Sequence, residues 1–393
     1  MIPLAVPNLT GRESKYLQQC IETTFVSSVG PFVTRFEKMV AEAAGGSMAA
    51  ATSAGTTGLH AALVAVGVGQ NDLVVLPSFT FIASANAIAY CGASPWLLDV
   101  TAESWTLDPA LLAEQLATET HQKNDCLVHK ATGRRVAAVM PVYTLGMPAD
   151  MDAITKIAND YNLPVVADGA AALGATYKKY SSGSLGADLT VYSFNGNKIV
   201  TAGGGGAVVG EDPELMKLVC HLTTTAKVGE AYHHDRVGFN YRMTELQGAI
   251  GLVQLSKLDY ILEKQRENKR KLKEAIDTSR FRFRNILNPE GDIAETLVIF
   301  LESAGQARKL VAGMKKQGLG TKNLPDAISW HFAAYWSHIF SEDGSSSVES
   351  LKSRWKQSTE WLERAVALPV MVNMEDSAID KVAETMNRLC KEL

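Results

Sequence analysis

Short, almost wholly apolar segments alternating with helical ones constrain this chain more than any other feature. Residues 50–54 are small and extended, and 73–77, 95–100, 136–143, 164–167, 189–194 and 206–209 read as strands. Helices such as 83–90 and 151–161 fall between them. A strand that is apolar on both of its alternating faces must be covered on both sides. The pattern therefore predicts an α/β fold with a mostly parallel seven-stranded sheet flanked by helices. Ligands of such sheets bind beyond the carboxyl ends of the strands. Phe81 follows LVVLPSFT, Asp168 follows PVVA and Lys198 follows LTVYSF, so all three stand at strand ends.

A helix predicted from 243 to about 276 leads into a smaller α+β part. That part has a strand at 295–303, a helix at 303–316, and final helices holding Trp355, Trp361 and Leu389 as core residues. The expected division is 1–255 for an N-terminal segment and large domain, and 256–393 for the linking helix and small domain. With 393 residues, 46% hydrophobic and 20% charged, the chain can bury a large core. A net charge of −4 excludes a broad nucleic-acid surface, and the basic run 264–274 is interleaved with acids, as on a solvated helix face. The five cysteines are scattered with no C-x-x-C spacing, which fits a reducing cytoplasm and no cysteine-based metal site. No basic start with an apolar run and no long uncharged apolar stretch occurs, so neither a signal peptide nor a membrane partner is expected. The polar stretch 117–135 reads as a surface excursion, with His121 and His129 as loop residues.

Three local patterns carry chemistry. Lys198 follows the turn Asn195-Gly196-Asn197, has Ile199 and Val200 beside it, and precedes the four glycines 203–206. An amine among apolar and small residues suits a Schiff-base lysine approached by a flat ligand, while a surface lysine after a strand is the plain alternative. Gly55-Thr56-Thr57-Gly58 opens an apolar helix, where free N–H groups and two hydroxyls can hold an anion or simply cap the helix. Asp168, followed by small residues, is either a turn cap or a carboxylate awaiting a cationic partner.

Taken in order, GPFVTRFEKMVAEAAG, TSAGTTGLHAAL, VVLPSFTFIASANAI, PADMDAITKIANDYNLPVVADGAAALGA, VYSFNGNKIVTAGGGG and GFNYRMTELQGAIGLVQLSKLD resemble the DegT/DnrJ/EryC1/StrS sugar aminotransferases. These are fold type I pyridoxal-phosphate enzymes, and the likeness covers nearly the whole chain. It implies that the large domain binds pyridoxal 5′-phosphate, with Lys198 forming the Schiff base and moving the proton. Asp168 would keep the pyridine nitrogen protonated, so that the ring acts as an electron sink. Thr56, Thr57 and Ser193 would hold the phosphate, Asn195 would stand in the cofactor loop, and Phe81 would stack on the ring. Asn240, in GFNYRM, would reach the phosphate of the other subunit's cofactor, which implies a homodimer with shared sites. One departure stands out: Ala171 replaces the glutamine that commonly follows the strand-end aspartate by three residues.

The resemblance implies ping-pong transamination of a keto sugar, with glutamate as amino donor. Lys198 favours this over the sugar dehydratases of the family, which carry histidine there, and the Lys198–Asp168 pair disfavours a non-catalytic binding protein. No G-x-G-x-x-G follows the first strand, which excludes a nicotinamide dehydrogenase. The segment 320–336, with Lys322, Trp330, His331, Tyr335 and Trp336, resembles the subgroup that makes 8-amino-3,8-dideoxy-manno-octulosonate. The expected substrate is therefore the 8-keto octulosonate, with Lys322 and His331 meeting its carboxylate and hydroxyls. A nucleotide-linked 4-keto or 3-keto hexose is the alternative.

Overall fold

Both faces of the central sheet are buried, and its strands show why their sequences are so continuously apolar. In Leu73–Pro77 (β2), Leu73 and Val75 join one apolar core, while Val74 and Leu76 join the core on the opposite face. The computed structural model describes residues 1–102, 104–229, 233–323, 331–340 and 348–393. The other strands of this sheet are Met48–Thr52 (β1), Ser94–Leu98 (β3), Val136–Val139 (β4), Val166–Asp168 (β5), Leu189–Ser193 (β6) and Gly206–Gly210 (β7). Their spatial order is β1-β7-β6-β5-β4-β2-β3, with β4 and β5 joined through the parallel bridges Val139–Val165 and Val142–Asp168.

β7 is antiparallel to both of its neighbours, and the remaining adjacent pairs are parallel. The connection from β6 to β7, residues 194–205, contains no helix. Without a crossover helix the chain returns beside β6 in the opposite sense. The expected seven-stranded, mostly parallel sheet is thus present, with one reversed strand next to the lysine loop.

The predicted linking helix is two helices, Glu245–Leu255 and Leu258–Ala275, interrupted at Ser256 and Lys257. The first is packed closely, since a Cβ at Gly251 would lie 2.4 Å from the Phe36 ring. The second shows one apolar stripe and a charged face. At the break the Lys257 ammonium donates to the Asn8 carbonyl at 3.2 Å and to Glu13 at 2.9 Å. Glu245 is fully buried and accepts from the backbone N–H groups of Phe32 and Val33, each at 2.8 Å. Its carboxylate therefore sits on the positive end of helix Pro31–Ala44.

A second sheet, fully antiparallel, runs in the order Arg282–Phe283, Thr296–Phe300, Ala365–Pro369, Lys322–Asn323. Helices Ala304–Lys316 and Asp376–Lys391 share an apolar cluster with it. The stretch 117–135 is more ordered than expected. It contains a hairpin of Thr120–Lys123 with Cys126–His129, and the His129 ring packs 4.8 Å from that of Trp96. Among the described residues no helix is long and apolar enough to cross a membrane. Nor do three or more His, Cys, Asp or Glu residues gather there to hold a metal ion.

Candidate active site

The carboxyl ends of β5 and β6 open into a cavity of about 470 Å³. Thr56, Phe81, Asp168, Ser193, Lys198 and His331 line it, with Asn195 at its edge. Residues separated by up to 275 positions are gathered there by the parallel topology, which points successive strand ends to one side.

Asp168 is the most constrained of them. Its Oδ2 accepts from the Ser84 hydroxyl at 2.6 Å, and Oδ1 accepts from the Ala170 N–H at 3.1 Å. Ser84 is itself braced by Thr80, 2.7 Å away. Burial pushes the Asp168 carboxyl above its ordinary range, opposed by the Ser84 and Ala170 hydrogen bonds and by the charge of Lys198. No ion pair is made by this carboxyl among the described residues. A buried carboxylate held by two neutral donors is a ready partner for a cationic ring nitrogen.

Lys198 stands on a tight loop in which its N–H donates to the Asn195 carbonyl at 3.0 Å. The loop is closed on both sides by Phe194, which donates to the Gly205 carbonyl and accepts from the Ala202 N–H, both at 2.9 Å. Phe194 is fully buried edge-on against Phe36, at 4.8 Å between ring centres. Val200, beside the lysine, is also buried. The apolar residues flanking Lys198 thus anchor the loop, while the lysine side chain faces the cavity.

The helix Gly55–Ala65 begins at the cavity wall. Its N-cap residue, Ala54, carries no side-chain acceptor, so the first-turn N–H groups lack the usual cap, which is worth about 1 kcal/mol. An anion at this point supplies what Ala54 cannot. Close approach is built in: a Cβ at Gly206 would lie 2.5 Å from the Ala54 carbonyl oxygen, and one at Gly55 would lie 2.9 Å from Ser193 Cβ. Thr56 and Ser193 face the cavity. Thr57 does not, because its hydroxyl accepts from the Ala54 N–H at 3.1 Å and donates to the Ala54 carbonyl at 2.8 Å. Its side chain secures the turn, and only its backbone N–H is left for an anion.

The Phe81 ring is half exposed and has the His331 ring 5.5 Å away. Asn240 is exposed and lies outside the cavity of its own chain, at a backbone bridge to Thr224. Lys322 pairs with Ala367 in the small sheet. Trp330 lies outside the described residues. Trp336 is a core residue, fully buried. Ala171 lines the cavity without a side-chain donor. Ser84, Tyr143 and Glu295 were not singled out by sequence reasoning, yet Ser84 holds Asp168 and the other two line the cavity. Ser84 has a legible signal, three residues after Phe81 on the helix Ile82–Tyr90; Glu295 has none.

These residues fit pyridoxal 5′-phosphate. An uncapped helix start with two hydroxyls suits its phosphate, the buried Asp168 its ring nitrogen, Lys198 its aldehyde carbon and Phe81 a ring face.

Comparison with known proteins agrees. The model of the DegT/DnrJ/EryC1/StrS aminotransferase family matches residues 7–387. The chain is similar to GDP-perosamine synthase of Caulobacter vibrioides, 44% identical over 259 residues, which are 66% of this chain and 65% of that protein. It is also similar to GDP-perosamine synthase of Escherichia coli O157:H7, 37% identical over 267 residues, 68% of this chain and 69% of that one. The chain therefore spans about two thirds of the length of these relatives. Among solved structures, 3-amino-5-hydroxybenzoic acid synthase superposes with a TM-score of 0.85 and 25% identity, covering 100% of both chains. The chain belongs to the DegT/DnrJ/EryC1/StrS aminotransferase family.

Proposed function

We propose that this chain is a pyridoxal-phosphate-dependent transaminase that turns a nucleotide-linked keto hexose into an amino sugar, with glutamate as amino donor. The observation that carries this reading is the joint presence, in one cavity, of Lys198, the buried Asp168 and an uncapped helix start. When bound, the cofactor supplies an electron sink for the carbanion formed as the amino group is moved. Thr56, Ser193 and the first-turn N–H groups hold its phosphate. Asp168 keeps a proton at the ring nitrogen, and Phe81 covers one face. The Lys198 amine holds the aldehyde carbon between turnovers and, once displaced by the donor, carries the proton away from the donor's α-carbon. Residues 1–255 form the N-terminal segment and cofactor-binding domain and 256–393 the linking helix and small domain, in a cytoplasmic enzyme.

The substrate expected from segment 320–336, the free 8-keto octulosonate, is replaced here. The two relatives described above are GDP-perosamine synthases, which favours a GDP-linked keto hexose. A panel assay decides between them. The aminated enzyme should show a kcat/KM for the GDP-linked keto hexose at least about a hundredfold above that for the 8-keto octulosonate. The reverse order would return the assignment to the acidic sugar. His331, on the cavity wall beside Phe81, and Lys322 are proposed to contact the substrate in either case.

We also propose a homodimer in which Asn240 serves the partner's site; its exposure and its distance from its own cavity support this. Mixing Lys198→Ala with Asn240→Ala subunits should restore turnover, because one site of each hybrid then carries neither change. Proven subunit exchange without recovered activity would remove the shared site.

A further inference from the structure

Glu295 is a carboxylate on the cavity wall with no hydrogen-bond partner among the described residues. It lines the main cavity together with Lys198 and Asn197, and the same three residues also line a smaller recess beside it. Neither of its carboxylate oxygens meets a hydrogen-bond donor among the described residues, and Oε2 is buried. Arg284, a fully buried cation that feels its charge, points its N–H groups elsewhere, to the carbonyls of Ser104 at 3.1 Å and Thr144 at 3.0 Å.

The backbone before Glu295 takes an uncommon conformation. Ala294 sits in the left-handed region at φ 59°, a conformation that costs a non-glycine residue. The strained turn is held by the Ala294 N–H donating to Asp292 at 3.1 Å and by Gln265 donating to the Ala294 carbonyl at 3.0 Å. Immediately after Glu295, Thr296 pairs with Pro369, and its hydroxyl donates to the Leu368 carbonyl at 2.7 Å. Both neighbours are therefore pinned, and Glu295 is held at the cavity without a hydrogen-bond donor among the described residues. A carboxylate on a cavity wall that meets no donor from the protein is open to one from a ligand.

We infer that Glu295 accepts a hydrogen bond from a hydroxyl of the keto sugar next to the carbon being aminated. A carboxylate only accepts, so its partner must donate. Around its carbonyl a keto hexose offers hydroxyls as donors, and the position of Glu295 beside Lys198 places it near that carbonyl. This assignment rests on the keto-hexose reading above, and Glu295 acts in it as a substrate-binding residue, not in the proton transfer.

The test separates the two half-reactions of the holoenzyme by single-turnover kinetics, using glutamate and a GDP-linked keto hexose. Glu295→Gln and Glu295→Ala should lower kcat/KM of the sugar half-reaction by about tenfold to a hundredfold. The glutamate half-reaction and the cofactor's visible absorbance should change by less than about threefold. An unchanged sugar half-reaction in the variants, with wild type active on the keto hexose, overturns the Glu295 assignment alone. Equal losses in both half-reactions, or loss of cofactor absorbance and thermal stability, make the residue structural and overturn it too. A wild type that aminates no nucleotide-linked keto hexose overturns both this inference and the reading on which it rests.

Discussion

Lys198→Ala loses turnover by about 10⁴-fold or more while keeping its fold. The size of the effect follows from the proposed double role of one amine, as the covalent holder of the cofactor and as the carrier of the proton. The fold should survive because the loop is held by other residues: Phe194 bridges Ala202 and Gly205, and Val200 is buried. Far-ultraviolet circular dichroism and melting temperature should therefore match the wild type, whereas the visible absorbance of the lysine-bound cofactor disappears. A variant with near-normal turnover would show that a different group performs the chemistry.

Asp168→Asn lowers turnover by about 10²–10³-fold and has the opposite effect on the stability of the cofactor-free protein. The catalytic loss is expected because, in the proposed mechanism, this charge keeps the ring nitrogen protonated. The stability effect comes from burial, which raises the carboxyl above its ordinary value despite the hydrogen bonds from Ser84 and Ala170. The sign follows from linkage. An acid whose folded-state pKa is raised costs no stability below its unfolded value. The cost grows as pH rises from there towards the folded value and is complete above it. At neutral pH the cost is present, so the cofactor-free Asn variant should melt higher than the cofactor-free wild type. The gap should close as the pH falls below the ordinary carboxyl range. Adding the cofactor should stabilise the wild type more than the variant, because only the wild type gains the ion pair. Equal melting temperatures of the two cofactor-free proteins at neutral pH would mean that Asp168 is not under electrostatic strain.

Much of the fold was legible because its causes are local or periodic. Strands with both faces buried need apolar residues at every position, and Leu73–Pro77 divides alternately between two cores for that reason. Lys198, Asp168 and Thr56 were legible because each stands where a strand ends or a helix begins. The break at Ser256–Lys257 was not, because it depends on contacts from Asn8 and Glu13, far away in sequence. The octulosonate expectation drew on the segment 320–336, where 324–330 lie outside the described residues, and the relatives favour the nucleotide-linked alternative instead.

The sequence by itself determined the strand–helix alternation, the lysine loop, the strand-end aspartate and the family, since all are written in short stretches whose chemistry does not depend on distant neighbours. Only the tertiary structure decided which hydroxyls face the ligand. Thr57 and Thr56 are adjacent and identical in type, yet the first turns back to cap Ala54 and the second lines the cavity. The structure also brought Ser84 to Asp168 and Glu295 to Lys198. The physical reason is the same in each case: whether a polar group is already satisfied, and so whether it is available to a ligand, depends on donors and acceptors that the chain supplies from elsewhere.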